Sequence, residues 1–508
     1  MQDQAAVDRF LDLLGTDSWT PATAVGHGRT AYFDSFDWRL YRRGWTLIRD
    51  HGKLRLLDRS TGRVLADLSV PAQAAPRFAW EIEPGALRDL LAGALKMRAL
   101  VHLVTLQGPV RSWDYRDRGS DRVWRLEYRE LELRRPRVGR VSLPVLALRR
   151  TDGGAGSGSG KLMKVAAKAG LQPVPPTLLE HALAGAGIAA ARYSSRIRVP
   201  LESNQPAGEA AVVLALHLLR NMKANLAGVL RDIDTEFLHD LRVAIRRTRT
   251  LTALMKGVLP AEIRRDAGSR FARLGDLTGP LRDIDVFLLR CGDFRKMLPA
   301  ALHPGLEEIF MLTASRRRLV RPEIEACLGR DDGQQQLLAW EAFLKRGAEA
   351  WDPRPPAADR PVGKVADRII SRRYAAIRRL MAGMGEDPAD RDLHRLRIRC
   401  KKLRYAVEFF ASLYSARKVS RVVGLLKGLQ KHLGENNDLA TQQAYLQELL
   451  ATRGAAALSP GAAAAVGALV VRLTDRQTAV RARCLTACAE FASAESADLS
   501  ERLVRSRR

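Results

Sequence analysis

One basic helical phrase occurs twice in this chain, and the repetition limits its possible folds more than any other feature. The first copy is His239-Asp240-Leu241-Arg242-Val243-Ala244-Ile245-Arg246-Arg247-Thr248-Arg249; the second is His394-Arg395-Leu396-Arg397-Ile398-Arg399-Cys400-Lys401-Lys402-Leu403-Arg404. Both place cations 3, 7, 8 and 10 residues after the histidine. At about 100° per residue, the histidine and the cations at +3, +7 and +10 fall within about 80° of one another on a helix. Leu238, Leu241 and Ile245 take the neighbouring face, as do Leu393, Leu396, Cys400, Leu403 and Val407 in the second copy. Each helix therefore carries an apolar stripe for a core beside a cationic stripe, and the duplication points to one extended anion held between two similar half-sites.

Composition agrees with an anionic partner. The chain has 84 Lys and Arg against 56 Asp and Glu, a net charge of +28 over 508 residues. Such an excess favours dense negative charge through counterion release, whether on nucleic acid, a membrane surface or another polyanion. The five cysteines, Cys291, Cys327, Cys400, Cys484 and Cys488, make neither a CxxC pair nor a metal-ligand spacing and are expected to fill cores in a reducing compartment. No basic leader opens the sequence, and the most apolar run, 462–471, is shorter than the ~18 residues of a membrane span. The expectation is a soluble cytoplasmic protein with no membrane partner, no cofactor and no metal.

Two textures meet near residue 155. Before it, the runs 41–49, 53–57, 64–70, 101–106, 123–133 and 141–148 have strand composition, with helical periodicity at 87–96. Beyond residue 200 the pattern is long and 3.6-periodic. The fold class predicted is α+β, with a mostly antiparallel β-rich domain at 1–150, a linker and intermediate segment at 151–200, and an all-α domain at 201–508. The Gly/Ser run Thr151 to Lys161 approaches a phosphate loop, but Ala155 stands where that loop needs Gly and Leu162 where it needs Ser or Thr, so it is read as a linker.

The helical repeat extends past the two phrases. Leu274-Gly-Asp-Leu-Thr-Gly-Pro-Leu281-Arg282-Asp283-Ile-Asp285 follows the first, and Leu426-Lys427-Gly-Leu-Gln-Lys431-His432-Leu433-Gly434-Glu-Asn-Asn-Asp438 the second. Each is expected to be a Leu-rich helix ending in a turn, with Asp285 and Asp438 capping the next helix, because an isolated carboxylate beside a polyanion repels it. Arg270, Arg273, Lys427 and Lys431 are candidates for the opposite wall of a groove. The run Arg316-Arg317-Arg318 and the tail Arg505 to Arg508 are expected to be solvated charge.

The two histidine phrases with their Leu/Asp sequels resemble the CHAD family, the histidine α-helical domains, over roughly residues 200 to 508. The resemblance implies two four-helix bundles about a pseudo-twofold axis, a basic central groove, and binding of inorganic polyphosphate, often at intracellular granules. It carries the anion contacts to His239, Arg242, Arg246 and Arg249 and to His394, Arg397, Lys401 and Arg404; Arg247, Lys402, Arg273, Lys427 and Lys431 complete the candidate set. The histidines are expected to contact phosphate or orient an arginine rather than act in catalysis.

More weakly, Tyr32-Phe33-Asp34-Ser35-Phe36-Asp37, Gly44 to Arg49 and Lys53-Leu54-Arg55 are similar to the CYTH or triphosphate-tunnel fold. Active members open with Glu-x-Glu-x-Lys, which residues 1–30 lack; Glu130 and Glu132 alternate on a strand and are placed facing a tunnel. The implied domain is degenerate and non-catalytic. Two other readings stay open, a triphosphatase in that domain and a nucleic-acid binder, although single-strand readers interleave aromatics with their cations and only Tyr405 accompanies these.

Overall fold

The computed structural model describes residues 4–14, 19–21, 26–71, 76–116, 123–135, 139–150, 159–172, 177–329, 331–385, 388–453 and 458–492. The Gly/Ser run at 151–158 and the arginine tail at 505–508 lie outside the described residues. The chain divides into two compact units, Met1–Ser194 and Ser195–Arg508. No helix among the described residues is long and apolar enough to cross a membrane.

The first unit is an antiparallel sheet with helices against it. Its elements are α1 (Gln4–Leu14), β1 (Trp19–Pro21), β2 (Gly26–Ser35), β3 (Trp45–Asp50), β4 (Lys53–Asp58), β5 (Val64–Ser69), α2 (Ala86–Leu95), β6 (Leu100–Arg116), β7 (Val123–Arg135), β8 (Gly139–Arg150), α3 (Ser159–Lys168) and α4 (Leu179–Ala186). The strand order is β5-β4-β3-β2-β6-β7-β8, with β1 beside β6. Strand β2 was not foreseen, because its opening Gly-His-Gly-Arg has no alternation. Residues 41–43, expected to begin a strand, form one tight turn that Gly44 ends at φ 75°, a left-handed angle that suits glycine.

Period-two alternation then sorts side chains onto two faces. Leu47 and Leu56 pack with Leu87 and Leu91 of α2. Ile48, Tyr32, Val104, Leu131 and Leu133 instead meet Leu179, Ala182 and Leu183 of α4, and the Tyr32 hydroxyl donates to the Thr177 carbonyl at 2.7 Å. Helices α3 and α4 thus form within the stretch 151–200, read from the sequence as a linker and intermediate segment. Glu130 and Glu132 alternate with Leu131 and Leu133, which sets them on the face away from α4. The aspartate motif is a turn: Asp34 accepts backbone N–H groups from Ser35, Leu40 and Tyr41, and burial pushes its carboxyl up to about 6 despite those bonds.

The second unit is all helix: α5 (Ala207–Leu230), α6 (Thr235–Leu254), α7 (Ala261–Leu277), α8 (Gly279–Leu288), α9 (Cys291–Met297), α10 (His303–Gly329), α11 (Asp331–Lys345), α12 (Val362–Ala382), α13 (Asp390–Phe409), α14 (Ala416–Arg453) and α15 (Pro460–Ala492). Helices α5, α6, α7 with α8, and α10 form one bundle; α12 to α15 form the other. The apolar stripe of α6 and that of α13, from Leu238 to Ile245 and from Leu393 to Val407, are buried as their spacing requires.

One interval separates Pro206 from Pro361, His239 from His394 and Asp283 from Asp438. Where the bundles meet, the backbone exchanges hydrogen bonds reciprocally at that interval. Ala207 N–H donates to Arg360 O and Val362 N–H to Gln205 O, both at 2.9 Å; Gly208 N–H reaches Ala358 O at 2.9 Å and Gly363 N–H reaches Ser203 O at 3.0 Å. This pairing marks the pseudo-twofold axis.

The repeats differ at the Leu-rich element. In the first, the chain breaks at Thr278 and restarts as α8 with Pro280 in its first turn. In the second, α14 runs through Gly434 without interruption. The capping assignment of Asp285 and Asp438 is therefore corrected: Asp285 lies inside α8, as does Asp283, and Asp438 lies inside α14. Asp285 is buried and accepts from Arg317 Nε at 2.7 Å.

Helices α10 and α15 approach at a pair of glycines. A Cβ on Gly305 would sit 2.1 Å from the Gly461 carbonyl oxygen, so the backbones must part to admit it. Gly305→Ala is expected to cost about 1–3 kcal/mol by overpacking. A lowered thermal midpoint checks this, and an unchanged one contradicts the close approach.

Candidate polyanion-binding site

Helix α6 is started by Asp234, whose carboxylate accepts from Glu236 N–H at 2.9 Å and Phe237 N–H at 3.2 Å, a side-chain cap that fixes where its cationic face points. Helix α13 carries Asp390 and Asp392 in its first turn, where negative charge suits the helix dipole. The two helices pack on each other and open a cavity of about 710 Å3 in the second unit. His239, Arg242 and Arg246 of α6 line it, with Arg397 and Lys401 of α13. Both repeats thus supply one wall each.

Protein groups engage the three arginines Arg242, Arg246 and Arg397. Arg242 Nη1 donates to Gly275 O at 2.6 Å and Thr278 Oγ1 at 2.8 Å, at the carboxyl end of α7, where a cation is favoured. Arg246 Nε donates to the Tyr405 hydroxyl of the other repeat at 2.9 Å. Arg397 lies 3.9 Å from Asp438, and its Nε is buried with no protein acceptor. Burial, then Arg397 and Arg246, push the Lys401 ammonium down to about 7. Burial lowers Arg242 and Arg397 as well. The cavity is a place where positive charge is costly.

Sequence reasoning missed several lining residues. Asp283 and Asp438, equivalent in the two repeats, both face the cavity; burial raises each carboxyl, and Arg242 and Arg397 oppose that rise. Arg282 and Arg316 line it too, with Glu448 bound to Arg316 at 2.9 Å. The balance is six cations against three carboxylates, so the field stays positive. The expectation that Arg316-Arg317-Arg318 is solvated holds for Arg318 alone. Arg317 binds Asp232 through Nη1 and Nη2, both at 2.7 Å, besides its bond to Asp285.

The other candidates lie elsewhere. His394 is exposed and shares a 2.8 Å hydrogen bond with Asn437, itself a lining residue. Arg247 and Arg404 both bind Glu408, at 2.9 and 2.7 Å, which ties α6 to α13. Arg273 is exposed and donates to Ser269; Lys427 and Lys431 are exposed on α14. Arg249 and Lys402 do not line the cavity.

The CHAD domain family model matches residues 214–447, so the chain carries a CHAD domain there. Two solved structures are similar in part. The CHAD domain from the plant Ricinus communis is 25% identical, with 58% of this chain and 95% of that one covered at a TM-score of 0.47. PptA from Streptomyces chartreusis is 17% identical, with 56% and 99% covered at a TM-score of 0.41. No curated protein matches the chain.

Proposed function

We propose, from the CHAD domain at residues 214–447, that this protein binds a chain of inorganic polyphosphate in the cavity between α6 and α13 and holds it without chemistry. The observation that carries the reading is the meeting of Arg242 and Arg246 with Arg397 and Lys401 on one cavity, each from a different repeat of the same phrase. A linear chain with negative charge on every unit satisfies both walls at once. Guanidinium groups grip phosphate oxygens bidentately and stay charged at any cellular pH. Asp283 and Asp438 keep their arginines in place before the ligand enters. His239 serves as a further phosphate contact, and the protein follows polyphosphate to granules where these form.

The first unit is read as a degenerate tunnel-like domain without hydrolase activity. The apolar packing of α4 on Tyr32, Ile48, Val104 and Leu131 supports this, since one sheet face is committed to a core. Phosphate release from tripolyphosphate with magnesium or manganese is expected to stay at background, and sustained turnover by the purified chain contradicts the holding role.

Binding is expected to weaken steeply with salt. Four to six phosphate contacts give a slope of log affinity against log salt of about −3 to −4, by analogy with single-stranded nucleic acid. In competition at equal charge, polyphosphate is expected to displace single-stranded RNA. Preference for RNA, or affinity indifferent to salt, would sink the proposal.

A further inference from the structure

The two copies of the basic phrase part company at one position. Arg247 and Lys402 hold the same place in the repeat, eight residues after their histidines. Arg247 is buried and closed off: it donates to the Ser195 carbonyl and to Glu408 Oε2, and its guanidinium lies 5.5 Å from the Tyr405 ring centroid. The repeat puts Ala253 where the second half has Glu408, so the symmetric partner that would neutralise Lys402 is an alanine.

Lys402 faces cations instead. Partial burial first, and then Arg373 of α12, Arg399 of its own helix and Arg249 of α6, lower its ammonium. Arg399 reaches across to α12, where Nη1 donates to Ala376 O at 2.6 Å. Among the described residues none of these four cations is in an ion pair, and none lines the 710 Å3 cavity. A surface that only needed to fold would spread such charges or pair them, as the first repeat does at Arg247.

We propose that Arg249, Arg373, Arg399 and Lys402 form a second phosphate-chain site, so that one long polyphosphate occupies the cavity and this cluster together while a short one fills the cavity alone. The inference rests on the polyphosphate reading of the cavity. The two sites share elements: α6 gives Arg246 to the cavity and Arg249 to the cluster, three residues or about 4.5 Å of helix rise apart, and α13 gives Lys401 to one and Lys402 to the other. None of the four cations stacks on an aromatic ring among the described residues, which favours phosphate over the stacked bases of a nucleic acid. Linking two sites through one ligand raises affinity without new contacts at either.

The test is an R373Q/R399Q/K402Q variant titrated with tripolyphosphate, too short to span the cavity and the cluster, and with polyphosphate of about a hundred phosphates, long enough to engage both. Short-chain affinity is expected to match the wild type. Long-chain affinity is expected to fall about tenfold or more, and its salt slope to shrink by about two. The melting midpoint is expected to hold or rise, whereas a structural role for the cluster predicts a fall. Unchanged long-chain affinity overturns the second site. So does an equal loss for both lengths, which would mean only a diffuse field. Loss confined to single-stranded RNA would assign the surface to nucleic acid and overturn it too. A parallel R242Q/R246Q/R397Q/K401Q variant separates the failures: if it also binds both lengths normally, the cavity reading falls, and if it loses the short chain while the cluster variant keeps the long one, only the second site falls.

Discussion

Replacing Arg242, Arg246, Arg397 and Lys401 together by glutamine is expected to lower polyphosphate affinity by about a thousandfold. A hydrogen bond to a charged group is worth about 1.5–3 kcal/mol; even about 1 kcal/mol at each of the four positions gives about 4 kcal/mol, or three decades. The slope of log affinity against log salt should fall by about three, because four phosphate contacts are lost. The fold should survive, since the exchange removes charges that burial, and then their neighbouring arginines, hold below their ordinary values at Lys401 and Arg397. The local losses are Arg246's bond to Tyr405 and Arg242's bonds at the end of α7. Removing only the α6 pair or only the α13 pair should already cost most of the affinity, because one chain bridges both walls. A folded quadruple variant that binds as tightly as the wild type ends the cavity model.

The second large effect is a pH dependence owed to Lys401. Its ammonium titrates near 7 in the free protein against an ordinary 10.5. The stability cost of burying that charge is complete below pH 7 and is relieved as pH rises from 7 towards 10.5, where only the unfolded chain keeps the proton. A bound polyanion reverses the bias and restores the proton, so binding above pH 7 takes one up. Affinity for long chains should then fall by up to tenfold per pH unit, about a hundredfold between pH 7 and 9. Arg397 and Arg404 face Lys401 from its own helix, Arg246 from α6 and Asp438 from α14. The arginines do not titrate in this range, and Asp438→Asn should leave the dependence in place. Lys401→Arg should abolish it and bind more tightly than the wild type at pH 9; a flat wild-type profile rules the coupling out.

The cationic face and the duplication were legible because helical pitch alone decides which residues share a face. Pitch does not decide what each residue meets. It grouped His239, Arg242 and Arg246 correctly, yet Arg247 and Lys402, alike in the phrase, ended in a closed ion pair and an open cluster because of one residue, Glu408 against Ala253. Arg316 and Arg317 looked like solvated charge since their partners Glu448, Asp232 and Asp285 lie 132, 85 and 32 residues away. Gly434 looked like a helix end, but buried Leu426, Leu429, Leu433 and Leu439 carry α14 straight through it, tertiary packing outweighing glycine's local cost. That continuity is what turns Asp438 from a cap into a wall of the cavity.

The reciprocal backbone exchange between Pro206 and Pro361 has the form of a homodimer interface, in which residue i meets j and j meets i. A half-length chain with this sequence pattern would complete the seam only by meeting its own twin. Joining the twins in one polypeptide makes that meeting independent of concentration. It also releases each half from having to suit both sides of the interface, so a carboxylate can be kept at one position and dispensed with at its counterpart.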